Sequence, residues 1–242
     1  MTKRLRERTL EPNLTEEELR TFSQNASEVE REQLVRYQRA YDLSRSKQDA
    51  LWWMRCAVWT SDQDTGQVRR FPYKKPHVAE VVDRLTSPYW TSVLIDKSRQ
   101  MFITWTVASW ALWDCMFHPV RLGGICKRTQ GESEEIIWEK MKFIYDRIPG
   151  YLRPVEAKFK RQPPTIEFKN GSKVIGMSQD SDGLAGVTWS WFWFDEFARL
   201  WQARFAYTTV KPGLGRNGKM IGVWTPRGKN FPYQLAYKPE DL

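Results

Sequence analysis

The run Trp189-Ser190-Trp191-Phe192-Trp193-Phe194 ends in two adjacent carboxylates, Asp195 and Glu196. A neighbouring pair of carboxylates suits nucleotide hydrolysis, where one holds a metal and the other acts on water. The run reads as a strand that is apolar on both faces. Such strands belong to parallel sheets, whose ligands bind beyond the carboxyl ends. The same residues also fit a buried strand that simply returns to solvent through charge.

A second candidate is the loop Asp96-Lys97-Ser98-Arg99-Gln100-Met101-Phe102-Ile103-Thr104, between a β-branched run at 92–95 and an apolar segment. A loop feeding a helix N-terminus favours anions, because free N–H groups and the helix dipole point at them. Lys97 and Arg99 add cations, and Ser98 to Ile103 offer backbone donors. Thr104 stands where a phosphate loop puts the hydroxyl that touches magnesium. Against the pattern G-x-x-x-x-G-K-S/T, Lys97 and Phe102 fill the glycine positions and Ile103 the lysine position. A side chain at 102 narrows the phosphate cradle or opposes a positive φ. By pattern alone the stretch also fits an ordinary strand-to-helix connection.

Composition narrows the chemistry. The 242 residues include two histidines and three cysteines, and the cysteines show no CxxC spacing. A zinc site, a disulfide framework and a histidine-based triad therefore lack material, and a reducing compartment fits best. The charged N-terminus lacks the apolar core of a signal peptide. Residues 101–116 are apolar but fall short of the ~20 residues of a membrane span, so they read as a buried helix. The net charge is +9. Residues 1–50 hold ten basic and ten acidic side chains, so the excess lies beyond them. From Phe197 to Pro239 there are eight basic and no acidic residues, which suits a polyanion as well as a generally basic surface.

The elements that must position these residues follow from periodicity. Thr15 and Glu18 form a capping-box start, and a second helix is expected from Glu28 to Ala57. Residues 62–76 read as a loop and 78–85 as a short helix. Strands are expected at 92–95, 122–126, 165–168, 173–177, 189–194 and 220–224. Asn170-Gly171 makes a hairpin of 165–168 and 173–177. An amphipathic helix is expected over 132–148, with Ile137, Met141, Ile144 and Ile148 on one stripe. Alternating strands and helices give an α/β class, with residues 1–60 as a helical arm and 61–242 as the core.

Taken in order, the motifs resemble those of phage terminase large subunits, the motors that package viral DNA. Ser98-Arg99-Gln100 with Thr104 is similar to the family's deviant Walker A loop, and Lys97 stands at its early lysine. Phe194-Asp195-Glu196 resembles its Walker B motif and catalytic glutamate. Residues 182–186 resemble the glycine-bearing segment before it, and residues 222–228, containing Thr225, its coupling motif. The resemblance covers roughly residues 70–237.

It implies a P-loop NTPase of ASCE type, with a central mostly parallel sheet flanked by helices, plus the N-terminal helical arm. It implies an ATP hydrolase that binds ATP and Mg2+ and drives double-stranded DNA into a procapsid. Lys97 and residues 98–103 would bind the nucleotide, Thr104 and Asp195 the metal, and Glu196 would polarise water. Thr225 would sense the γ-phosphate, and Arg128 is the candidate arginine finger, with Arg121, Arg147 and Arg153 as rivals. Implied partners are the portal protein, the small terminase subunit and further copies in a ring, with no membrane. The implied location is the host cytoplasm, transiently at the procapsid portal. The family's C-terminal nuclease domain is not expected within these residues. Two other functions stay open: a non-hydrolysing DNA- or capsid-binding module, and a helicase-like translocase.

Overall fold

The computed structural model describes residues 27–62, 65–180 and 182–241. The apolar runs assemble into one seven-stranded sheet. Its strands are β3 (Ser92–Asp96), β4 (Leu122–Lys127), β5 (Ala157–Lys160), β6 (Thr165–Phe168), β7 (Lys173–Ser178), β8 (Trp189–Phe194) and β9 (Leu214–Trp224). Their order is β3-β9-β8-β4-β7-β6-β5. The five strands from β3 to β7 pair in parallel, and β6 and β5 extend the sheet antiparallel. A separate small sheet pairs β1 (Trp59–Ser61) with β2 (Val68–Arg70).

Helices cover both faces, so the central strands are apolar on both. Trp191, Trp193, Ile221 and Val223 face a layer containing α2 (Ala50–Ala57), α3 (Pro76–Thr86) and α4 (Ile103–Phe117). Phe192, Phe194, Met220 and Trp224 face the opposite layer, formed by α6 (Ala203–Val210) and the residues around Phe197. The bulk of β8 is accommodated by its neighbour. A Cβ at Gly123 would collide with the Trp191 ring, and one at Gly124 with Phe192, so the two glycines of β4 admit the aromatic strand. The rings then interlock: Trp191 meets Trp110 of α4 edge-on, and Phe194 stacks on Phe197 at 4.8 Å. Truncating such a ring to alanine costs about 3–5 kcal/mol.

Several expected elements are present with shifted ends, and others were not expected. The helix expected over 28–57 is two helices, α1 (Glu28–Ser46) and α2. Asp49 starts the second one by accepting a hydrogen bond from Trp52 N–H at 2.9 Å. A capping box exists at Ser27 and Glu30, whereas the one expected at Thr15 and Glu18 lies outside the described residues. The amphipathic helix starts early, as α5 (Gln130–Glu135) capped by Thr129. It then continues through a π-helical segment, Ile136–Lys142, and a last turn, Phe143–Tyr145. Its expected stripe, Ile137, Met141, Ile144 and Ile148, is buried. Residues 62–76 are not wholly loop, since β2 lies within them. Strand β5, helix α6 and helix α7 (Phe231–Tyr237) are further additions.

The end of α1 and all of α2 share the core. Trp113 Nε1 donates to the Ser46 carbonyl at 2.6 Å, Trp53 Nε1 to the Leu152 carbonyl at 3.2 Å, and Trp53 and Met54 are fully buried. Thirteen of the fifteen residues of α4 are buried, and among the described residues no helix is long and apolar enough to cross a membrane.

One buried acid anchors α4 to the sheet. Asp114, 4% exposed, accepts from Arg121 Nε at 2.7 Å and Trp191 Nε1 at 3.1 Å, and pairs with His118 at 3.2 Å. The hydrogen bond from His118 to Asp114 raises the imidazole pKa above its usual value. A raised histidine stabilises the fold fully below its unfolded pKa of about 6.5, and this is lost as pH rises through the folded value. Hence the unfolding temperature of the chain, measured against His118→Gln, should show an advantage at pH 6 that shrinks by pH 9. An advantage independent of pH would contradict the assignment.

Candidate functional site

Because β3, β9, β8 and β4 are parallel and adjacent, their carboxyl ends form one edge. Asp96 aligns with Trp224, Phe194 with Gly222, and Cys126 with Phe194. That register brings together the loop after β3, Thr225 after β9, Asp195 and Glu196 after β8, and Lys127 and Arg128 at the end of β4. Parallel α/β sheets bind ligands at such an edge.

The loop of residues 97–102 is tied to β9 where Lys97 N–H donates to the Trp224 carbonyl at 2.9 Å. Gln100 and Phe102 both adopt the left-handed region, at φ 61° and 58°. The side chain at 102 therefore does not forbid a positive φ. It carries a backbone strain of roughly 1–2 kcal/mol that the surroundings must hold. The Phe102 ring is held under two cations, with Lys75 Nζ 5.2 Å and the Arg69 guanidinium 5.5 Å from its centre. His77 Nε2 lies 3.1 Å from the Met101 carbonyl oxygen. Phe102 is also the N-cap of α4 and supplies no side-chain acceptor, so among the described residues no side chain caps the start of this fifteen-residue helix. Ser98, Arg99 and Gln100 are exposed, and Met101 is half-buried. Ile103 is 3% exposed and belongs to the core. A cavity of 440 Å³, lined by residues 71–76, includes Lys75, which touches the Phe102 ring.

Asp195 is 3% exposed. Its N–H donates to the Cys126 carbonyl at 3.1 Å, which carries the strand pairing up to the carboxylate itself. The Thr104 hydroxyl donates to Asp195 Oδ1 at 3.4 Å, and Lys127 Nζ stands 3.7 Å from Oδ2. Burial raises the Asp195 pKa, and the Lys127 ammonium opposes that rise. Thr104 and Asp195, 91 residues apart in sequence, thus share one point, with oxygen donors of the kind magnesium takes.

Glu196 follows at φ 51°, another left-handed non-glycine residue, and pairs with Arg199 at 3.1 Å on the half-exposed rim. Thr225 is exposed directly after β9. Arg128 is exposed at the same edge, where its guanidinium meets Glu132 at 2.6 Å. The other arginines considered lie elsewhere. Arg121 serves Asp114, Arg147 covers the Phe143 ring at 3.6 Å, and Arg153 lies 5.1 Å from the Tyr145 ring.

Sequence reasoning missed Lys127, Lys140 and His77, as well as Arg69 and Lys75 over the Phe102 ring. Lys127 ends a buried apolar strand with a charge, the same signal that marks Asp195. Lys140 lies in the π-helical segment with its pKa lowered by burial, and Asp195 and Lys127 are among its charged neighbours. His77 supports the loop from α3, a contact between distant segments that no local pattern announces.

The left-handed backbone at 102 can be read out by two substitutions. At an ordinary position glycine is less stable than alanine. At this one, Phe102→Gly should be more stable than Phe102→Ala by about 1 kcal/mol, since both lose the ring and only glycine sheds the strain. Urea unfolding gives the comparison, and an alanine variant equal to or more stable than the glycine one would contradict it.

No protein-family model and no curated protein matches the sequence. Solved structures do match. The ATPase domain of the Thermus phage P74-26 large terminase superposes with a TM-score of 0.55 at 22% identity, over 67% of this chain and 69% of that one. The large terminase of bacteriophage HK97 gives 0.58 at 12% identity, over 81% of this chain and 40% of that one. The large terminase of a thermophilic bacteriophage, in complex with ATP-γ-S, gives 0.52 at 19% identity, over 68% and 41%. The chain covers about two fifths of the latter two molecules. With its mostly parallel sheet flanked by helices, it has the fold of the ATPase domain of phage large terminases.

Proposed function

We propose that this chain is the ATP-hydrolysing motor domain of a viral terminase large subunit, and that it works with Mg2+ to drive double-stranded DNA into a procapsid. The observation that carries the reading is the meeting of Thr104 and Asp195 beside a helix N-terminus whose N-cap, Phe102, makes no side-chain cap. The likeness in fold to a large terminase holding ATP-γ-S supports it.

Phosphoryl transfer asks a protein mainly for positioning and charge neutralisation. Lys97 contacts the β- and γ-phosphates from the start of the loop, and the N–H groups of residues 98–103 line them. The left-handed turns at Gln100 and Phe102 orient those groups before substrate arrives. Thr104 and Asp195 would hold Mg2+. Among the described residues no cluster of three or more His, Cys, Asp or Glu could hold a metal ion, so phosphate and water oxygens would complete its shell. When bound, it neutralises phosphate charge.

Glu196 polarises the attacking water and takes its proton, released from Arg199 as the site closes. Thr225 senses the γ-phosphate, and the Lys97–Trp224 backbone hydrogen bond couples it to the loop. Arg128, exposed at the same edge, serves as an arginine finger for a neighbouring copy in a ring once Glu132 lets it go. The exposed basic residues beyond Phe197, among them Lys211, Arg216, Arg227 and Lys229, face DNA, whereas Lys219 is buried and donates to the Ser87 carbonyl at 2.9 Å. The portal and small subunit complete the assembly at the procapsid, in the host cytoplasm.

Glu196→Gln should lower ATP turnover by about 100-fold or more while leaving ATP affinity within about threefold, as expected for loss of a general base. Steady-state hydrolysis and equilibrium binding measure the two, and unchanged turnover would remove Glu196 from this role. Binding to duplex DNA should weaken by about one to three orders of magnitude between about 50 and 200 mM salt through counterion release. A flat salt response, measured by fluorescence anisotropy, would remove the basic surface from DNA binding.

A further inference from the structure

The phosphate loop lacks a lysine where such loops usually carry one, because Ile103 fills that position and is buried in the core. Lys97 is far along the loop from Thr104. The innermost part of the site would therefore be short of positive charge, unless another element supplies it.

Lys127 is placed to do so. It is the last residue of β4, 9% exposed, and lies beside β8. An ammonium has three donors to place. Among the described residues the one partner of Lys127 Nζ is Asp195 Oδ2, at 3.7 Å, which is beyond hydrogen-bond distance. The carboxylate is bracketed, with the Thr104 hydroxyl on Oδ1 and Lys127 on Oδ2, so the lysine opens onto the same point as the N-terminus of α4. The half-buried Lys140 adds a second cation from the π-helical segment, its Nζ 5.5 Å from the Trp105 ring of α4. Glu139 and Glu135 are also charged neighbours of Lys140, so Lys127 is the lysine set directly against Asp195.

We propose that Lys127 is a second polyphosphate ligand, which binds the terminal phosphoryl group of a nucleoside triphosphate from the strand beside Asp195. The inference rests on the nucleotide reading given above and assigns a residue that the sequence motifs leave out. The choice of the terminal phosphoryl follows from the strand order. Strands lie about 4.8 Å apart, so β4 stands roughly 14 Å from β3, where the loop begins. A triphosphate entering from the loop side brings its γ end, rather than its α end, towards Asp195 and Lys127.

Affinities of ATP-γ-S and ADP for the whole chain, measured in EDTA and again with Mg2+, test this. Lys127→Met should weaken ATP-γ-S by about tenfold or more in both conditions, as for loss of a hydrogen bond to a charged group, and ADP by less than about threefold. A residue that only balances Asp195 would affect the two nucleotides alike. A parallel loss, or no loss, would overturn the proposal. Removal of one buried charge can unfold the chain, so the double variant Asp195→Asn/Lys127→Met is compared with Asp195→Asn alone. The double variant should bind ATP-γ-S more weakly in EDTA, and equal affinities would overturn the proposal. If the unaltered chain binds neither nucleotide, the nucleotide reading itself fails and the proposal with it. Binding by the unaltered chain with no effect of Lys127 sinks the proposal alone.

Discussion

A carboxylate buried at the edge of an aromatic sheet needs positive charge close by, and that need organises the site around Asp195. Its burial raises the cost of the ionised form, while Lys127 and the Thr104 hydroxyl offset part of it. The partners come from three elements: the end of β4, the start of α4 and the end of β8. Each must be fixed for the carboxylate to keep its balance. The interlocked rings of β8, admitted by Gly123 and Gly124, provide that rigidity beneath it. At the far end of the same strands Asp114 fastens α4 to β8 through Trp191. The platform is thus pinned at both ends.

The phosphate loop solves a different problem. Its left-handed residues are not glycines, so intrinsic preference works against the conformation at Gln100 and Phe102. What holds it is the segment just before and within the start of α3. Arg69 and Lys75 sit over the Phe102 ring, and His77 meets the Met101 carbonyl. In a glycine-rich loop such support is unnecessary, and the backbone stays free to move. Here the side chain that strains the loop is also the handle by which the neighbouring segment grips it. That exchange of freedom for a fixed shape explains how a loop lacking both glycines still presents a helix N-terminus to an anion.

Much of this could be seen in the sequence where a single element carries its own pattern. The aromatic strand at 189–194 matches β8 end to end, because six bulky residues in a row have few other places to go. The hairpin at Asn170-Gly171 was equally plain, with Gly171 at φ 84°. Boundaries were lost where side-chain capping outweighed periodicity, as at Asp49, which divides a single expected helix in two. The polar first half of β9, with Arg216 and Asn217 exposed, hid its length. Within the site, Asp195, Thr104 and the loop were legible because each ends or begins an apolar element. Lys127 carries the same signal, at the end of β4. His77, Arg69 and Lys75 were beyond reach, since their contacts depend on how a distant segment folds back over the loop.

The central claim is that Thr104, Asp195 and the N-terminus of α4 together form the seat of a nucleoside polyphosphate. A crystal structure of the chain grown with Mg2+ and ATP-γ-S tests it most directly. The account predicts the phosphate chain lying along residues 97–104, with its terminal group between Asp195 and Lys127 and beside Glu196. Nucleotide bound at another part of the surface, with Thr104 and Asp195 left in contact only with each other and Lys127, would contradict it.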